Sequence, residues 1–371
     1  MESHSQLLLA AERGCLVLSD VSGYTDYLQA TELEHAHDVL ADLLGTVVRH
    51  LAPTLRINRL EGDAAFAYAL EEEIEASMLL DTIEQTYFAF RARVRDIQHA
   101  TTCECNACQR IPSLDLKFHV HHGQFVRQDI VGGEELTGTD VVLVHRLLKN
   151  TVVESLGVRG YAFYTHECID TLGVDPQAME MRPHEEHYDD MGGVSGYVVD
   201  LEHRWQYEDE RRRVFVVPAE AEFEDVRTLP APVPIVWEFV TAPDKRALWG
   251  TDVVRIEEET PSGRRGVGTT THCVHGRGAI VEESLDWRPF RYFTWTGPVP
   301  LVGNWKWTVE LRPKQEGTEF RLRAEKLQGL RRRLAWALIR GRFSRLGEER
   351  VSRLRDLLVE EQEEREVVQG T

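Results

Sequence analysis

CLVLSDVSGYTDYL, residues 15–28, decides how the chain is read. Cys15–Leu18 is an apolar run with the character of a buried strand, and two residues later it ends on Asp20. A carboxylate at the end of a core strand is costly to desolvate unless something positive sits against it. Ser22, Gly23, Tyr24 and Thr25 follow, a set that suits a tight turn opening a helix. Backbone N–H groups are free there and can receive a phosphate. An acid beside such a turn suits a metal-bound phosphate, although a helix cap uses the same residue types.

Working outward, Thr31–Leu51 carries Leu33, Ala36, Leu40, Leu43, Val47 and Leu51 at helical spacing. TLRINRL (54–60) and AAFAYAL (64–70) flank Glu61-Gly62-Asp63 and predict a β-hairpin. EEEIEASMLLDTIEQTYFAFRARVRDI (71–97) predicts a second long helix, acidic at its start and basic at its end. A strand at LDLKFHVHHGQFV, a short helix at TDVVLVHRLLKN, and a strand and helix at YAFYTHECIDTLG come next. The order β-α-β-β-α-β is that of a ferredoxin-like sheet, in the α+β class. GGVSGYVVDL (192–201) closes this domain with a hairpin, giving a first domain over residues 1–213.

Asp63 at the hairpin tip meets Asp20 if the two strands lie side by side. Two aspartates on a rigid edge beside backbone amides fit Mg²⁺, which uses few carboxylates and leaves room for phosphates. Alone, each aspartate is also a normal cap or turn residue.

These residues resemble the class III nucleotidyl cyclases, the adenylate and guanylate cyclase superfamily. LVLSDVSGYTDYL resembles the first metal motif, RLEGDAAFAY the second, HVHHGQFV the His-x-Gly strand, and GTDVVLVHRLL the helix carrying Asn and Arg. The resemblance covers roughly residues 15–200. It implies Mg²⁺ or Mn²⁺ on Asp20 and Asp63, and phosphate binding by Ser22, Gly23, Tyr24 and Thr25. It implies base selection by Arg59 with Glu135, and Arg146 as the catalytic arginine that serves the partner subunit of a homodimer. A nucleoside triphosphate is the implied substrate. The position of the ribose-orienting asparagine is Val142, which cannot hydrogen-bond a hydroxyl, and Asn150 is the neighbour that would replace it. No lysine occurs between Thr151 and Asp244 for the phosphate contact made late in the domain.

TTCECNACQR places Cys103, Cys105 and Cys108 in one loop, three thiolates that would suit Zn²⁺ with a fourth ligand. His99, His119, His121, His122 and Cys168 are the candidates; reduced loop thiols without metal, or a redox or iron–sulfur role, are the alternatives. Similar cysteines mark an uncharacterised bacterial family of cyclase-like proteins that this chain resembles. MRPHEEHYDD (181–190) is expected to be a solvated acidic loop, with metal binding by His184 and His187 as the alternative.

The second domain, expected over residues 218–362, differs in composition. LPAPVPIVWEFVTAPDKRALW (229–249) reads as a strand and a short helix, followed by antiparallel strands and one long C-terminal helix. It resembles the Bet v 1-like, START and polyketide-cyclase domains, which implies a helix-grip fold around an apolar cavity and a hydrophobic small molecule or lipid. Trp249, His272, Trp295 and Trp307 are the cavity candidates, while aromatics that simply fill the core are the alternative. GLRRRLAWALIRGRFSR (329–345) is a solvated helix face or a contact for an acidic surface. An acidic tail is expected over 363–371.

The 371 residues carry a net charge of −19, which argues against a general nucleic-acid or anionic-membrane binder. No run of about 18 apolar residues occurs, so no membrane span is expected. The start MESHSQLLLAAERG lacks the pattern of a signal peptide, and six unevenly spaced cysteines are no disulfide framework. A reduced cytoplasm is the expected setting.

Overall fold

The computed structural model describes residues 10–29, 33–100, 110–130, 133–210, 213–250, 253–261, 263–275 and 278–369. The chain divides into two compact units, residues 1–211 and 212–371. Cys103, Cys105 and Cys108 lie outside the described residues, as does any metal they would hold.

In the first unit, β1 (Glu12–Ser22) leads through α1 (Tyr24–Gln29) and α2 (Leu33–Leu51) to β2 (Arg56–Glu61) and β3 (Ala64–Leu70). α3 (Ala76–Ala100) crosses back to β4 (Asp115–Ile130), and β5 (Gly133–Thr137) folds onto the far end of β4. The strands lie in the order β2-β3-β1-β4, with β1 antiparallel to both β3 and β4. That is the ferredoxin-like arrangement. α4 (Thr139–Arg146), α5 (Val152–Leu156), β6 (Tyr161–Thr165), α6 (His166–Leu172), β7 (Arg182–Tyr188), β8 (Gly192–Asp200) and α7 (Leu201–Glu210) complete the unit. β6 is parallel to β4, and the β7–β8 hairpin extends the sheet beyond it.

Side chains alternate along β1, so its two faces meet different layers. Cys15 and Val17 join Leu43, Val47 and Leu51 of α2 and Leu79, Ile83 and Phe90 of α3 in one core. Leu16 and Leu18 join Phe66, Tyr68, Val141 and Val144 under α4 on the opposite face.

The second unit is one antiparallel sheet in the order β10-β11-β12-β13-β14-β15-β9. Its strands are β9 (Ala221–Leu229), β10 (Arg255–Glu259), β11 (Thr270–His275), β12 (Gly278–Arg288), β13 (Tyr292–Val299), β14 (Gly303–Lys314) and β15 (Gly317–Glu325). α8 (Val233–Thr241) and α9 (Pro243–Trp249) follow β9, and α10 (Leu330–Gln369) ends the chain. This is the helix-grip arrangement. Trp336 and Phe343 of α10 enter a ring cluster with Phe223, Trp305 and Trp307, with centroids 4.8 Å apart for Trp305 and Trp336 and 5.3 Å for Trp307 and Phe343.

Two sequence expectations are corrected. The run beginning at Val233 is helix, not strand: Val236, Trp237, Phe239 and Val240 of α8 are all buried, and an apolar run buried on most sides carries no period to separate the two. The strand lies upstream, in AEFEDVRTL, with an alternating burial pattern. MRPHEEHYDD is likewise no solvated loop. It forms β7, and His184 bonds Glu186 with both side chains 6% exposed. The acidic stretch after residue 359 continues α10.

Trp305 is fully buried, and its indole N–H donates to the Glu325 carbonyl at 2.7 Å. Trp305→Ala is expected to lower stability by about 3–5 kcal/mol, read from urea unfolding by circular dichroism.

Candidate functional site

β1 is paired on both sides, so Asp20 stands between Ala64 of β3 and Lys117 of β4. Asp63 immediately precedes Ala64, at a hairpin tip where Gly62 adopts φ +67°. Its carbonyl accepts from the Val21 N–H at 3.2 Å, which fixes the tip against the end of β1. The two aspartates therefore converge at one sheet edge. Burial raises the Asp20 carboxyl to about 6; the charge of Asp63 adds to the rise, and Lys117 opposes it. Burial also raises Asp63, against a hydrogen bond from its own backbone.

Among the described residues, no hydrogen bond reaches the Asp20 carboxylate, and the nearby Ser22 hydroxyl is buried without a partner. Gly23, at φ +85°, turns the chain, and α1 begins at Tyr24 with Thr25 exposed beside it. Two converging acids, one of them without a donor, fit a hard divalent cation that completes its shell from water and phosphate. No group of three or more His, Cys, Asp or Glu suited to a metal occurs among the described residues.

Lys117 escaped the sequence reading, which sought a lysine late in the domain. Strand register alone puts it opposite Asp20, with its ammonium 5.7 Å from the centre of the Tyr161 ring. Nothing in the linear sequence links it to Asp20.

Arg59 and Glu135 are brought together as an ion pair, and Arg59 also pairs with Glu61. The guanidinium lies 5.6 Å from the Phe66 ring centre, and His145 of α4 approaches Glu61 at 3.4 Å. Glu61 feels burial, which raises its carboxyl, but bonding to Arg59 and the charges of His145 and Arg59 bring it below the usual range.

Arg146 stands at the end of α4 and pairs with Asp190 at 2.6 Å, both largely exposed. Val142, one turn earlier, is 53% exposed, an apolar side chain on the surface. Asn150 does not replace it. Its amide donates to the Leu147 carbonyl at 2.6 Å and faces His119 Nε2 at 3.0 Å, while its carbonyl accepts from Tyr161 Oη at 2.9 Å. Burial, with the charge of Lys117, lowers His119 to about 3, so this histidine is a neutral core group.

His121 bonds Thr165 at 2.8 Å and His122 bonds Thr171 at 3.3 Å. Cys168 is buried, its thiol hydrogen-bonded with Cys15 and raised by that contact and by burial. His119, His121, His122 and Cys168 thus each have at least one partner in the fold.

In the second unit, a cavity of about 20 Å³, room for one water, is lined by Trp295, Trp287, Phe293, Arg246, Glu258 and Glu282, among others. Arg246 holds Glu282 at 2.8 Å and Arg265 holds Glu258 at 2.9 Å, so both carboxylates are neutralised. Of the predicted cavity residues, Trp295 lines it. His272 is on the other face of β11 from Thr271, which does line it. Trp307 is in the ring cluster, and the Trp249 indole donates to the Phe239 carbonyl at 2.8 Å.

Residues 40–156 match the family described as "Protein of unknown function (DUF2652)", and residues 220–359 match "Polyketide cyclase / dehydrase and lipid transport". The chain is 32% identical over 162 residues to "Uncharacterized protein Rv2561/Rv2562" of Mycobacterium tuberculosis, covering 44% of this chain and 73% of the other. The chain belongs to that protein's family.

Among solved structures, the N-terminal half of this family member is similar to the adenylyl cyclase CyaB from P. aeruginosa, at 15% identity, TM-score 0.40, 52% of this chain and 97% of that one. It is also similar to the guanylyl cyclase Cya2, at 14% identity, TM-score 0.41, 52% of this chain and 93% of that one. Another similar structure is protein NE0264 from Nitrosomonas europaea, at 19% identity, TM-score 0.33, 39% of this chain and 99% of that one.

Two predictions separate the site from its surroundings. Because the Asp20 carboxyl is raised when folded, the native state binds the extra proton, and stability falls as pH rises from about 4 through 6. Asp20→Asn is therefore expected to stabilise the protein by on the order of 2 kcal/mol above pH 7, a gain that vanishes toward pH 4 in urea unfolding. Asn150→Ala is expected to cost about 2 kcal/mol at either pH, because it strands buried partners.

Proposed function

We propose that the first unit binds a nucleoside triphosphate with Mg²⁺ or Mn²⁺ and, as a homodimer, closes it to a cyclic nucleotide with release of pyrophosphate. The observation that carries this reading is the Asp20–Asp63 pair, two converging carboxylates at a sheet edge, with no hydrogen bond to Asp20. Asp20 and Asp63 would hold the metal, whose charge would neutralise the triphosphate and make the ribose 3′-hydroxyl more acidic.

The chain's own groups supply the rest. The turn Ser22–Thr25 offers backbone N–H groups to phosphate, and Lys117 adds a cation beside Asp20. Arg59 and Glu135 present a donor and an acceptor edge to a base. Arg146 would stabilise charge on the nucleotide held by the partner subunit. Its pair with Asp190 is exposed at 44% and 54%, so it is worth less than about 1 kcal/mol and is readily exchanged for a phosphate.

A second reading, binding without turnover, is favoured by Val142, because an exposed valine leaves the ribose without a hydrogen-bonding side chain at that position. The C-terminal unit would in either case act as a ligand-responsive regulator, through a hydrophobic small molecule or lipid that binds its two states unequally. Turnover within that unit is the weaker alternative, since the carboxylates lining its cavity are held by arginines.

Wild type and Asp63→Ala, incubated separately with ATP, GTP, CTP and UTP plus Mg²⁺ or Mn²⁺, decide between them. A cyclic product that falls at least a hundredfold in the variant is the expected result. No product from folded, dimeric protein that still binds a nucleotide would establish the binding reading.

A further inference from the structure

The face of α10 that turns away from the sheet has no explanation in the fold. Leu330, Leu334 and Leu338 recur every four residues and form one stripe. They are 73%, 58% and 82% exposed. They do not belong to the core face, which is Ala335, Trp336, Ile339 and Phe343, packed into the ring cluster. The first turns of α10 therefore carry two apolar stripes, one of them open to water.

A further exposed leucine lies on the β13–β14 turn. Leu301 caps the β13–β14 turn, is 75% exposed and adopts φ +65°. A branched side chain in the left-handed region is strained, and such strain persists where the surroundings or a function hold it. The turn is closed by the Val302 N–H donating to the Val299 carbonyl at 3.0 Å. Arg332 of α10 donates to the carbonyls of Val302, at 3.0 Å, and Asn304, which fastens the turn to the helix.

Charge frames the stripe. Residues 330–346 contain six arginines and no acid, in a chain of net charge −19. Arg331 and Arg342 flank the leucines on one side, Arg333 and Arg340 on the other, and all four are exposed. None of them has an ion-pair partner among the described residues. A helix with leucines between two rows of arginines has the pattern of an element that lies in a lipid interface.

We propose that this face of the C-terminal unit docks on an anionic lipid bilayer, with the leucines entering the acyl boundary and the arginines meeting lipid phosphates. An acidic protein surface would match the arginines alone; the open leucines favour the bilayer. The overall negative charge does not prevent this. Charge beyond about 10 Å is screened at physiological salt, so the local basic face governs contact and orients the molecule. Among the described residues no helix is long and apolar enough to cross a membrane, and the docking proposed is peripheral.

The test is flotation of the full chain with vesicles of phosphatidylcholine alone and of equimolar phosphatidylcholine and phosphatidylglycerol. Wild type is expected to float only with the anionic vesicles and to be released by high salt. Leu334→Ser with Leu338→Ser is expected to weaken binding at least tenfold, and Arg333→Gln with Arg340→Gln by roughly fivefold per arginine. These side chains are exposed, so the unfolding curves are expected to stay unchanged. Wild type that floats with neither vesicle, or equally with both, overturns the proposal. So do serine variants that bind like wild type, or a wild-type oligomer that those variants dissolve, since a second copy would then cover the face.

Discussion

The pairing of β1 on both sides is the constraint on which the first unit depends. With β3 and β4 hydrogen-bonded along its edges, β1 cannot slip by one residue without turning every side chain to the other face. Leu16 and Leu18 would leave the layer under α4, and Cys15 and Val17 would leave the layer under α2 and α3. Two cores thus lock one register. That register sets Asp20 beside the Asp63 tip and opposite Lys117, so the polar site is positioned by apolar packing that contains none of its residues.

The same packing shifts the Asp20 carboxyl. Asp20 loses water because the sheet and its layers enclose it, and the nearby Asp63 raises its carboxyl further. Lys117 only partly offsets two acids in that position, so a metal-bearing anion would relieve a cost already present. His119 lies on the adjacent strand, more deeply buried, with Asn150 at its Nε2 and Tyr161 edge-on to its ring, and burial keeps it neutral.

The second unit is organised by aromatic area. Trp305, Trp307, Trp336 and Phe343 pack together between the sheet and α10, and a water-sized cavity lies nearer α8 and α9. The outward leucines of α10 show the opposite condition, apolar surface that the fold leaves open.

The ferredoxin-like order was legible in the chain, because strand alternation and hairpin turns are written within a few residues of one another. The meeting of Asp20 with Asp63 was conditional on the two strands lying side by side, and the Arg59–Glu135 pair came from the resemblance to the class III nucleotidyl cyclases. The helical state of Val233–Thr241 was not legible, since a segment buried on most sides has no period to read. Nor was the buried character of His184 and Glu186, which depends on a hairpin partner and on neighbouring loops. Lys117 beside Asp20, Asn150 held under Tyr161, and Arg146 turned to Asp190 were decided only by tertiary structure. Each depends on which distant strand or helix arrives alongside, and the free energy that settles it comes from packing two whole layers and from no local residue pattern.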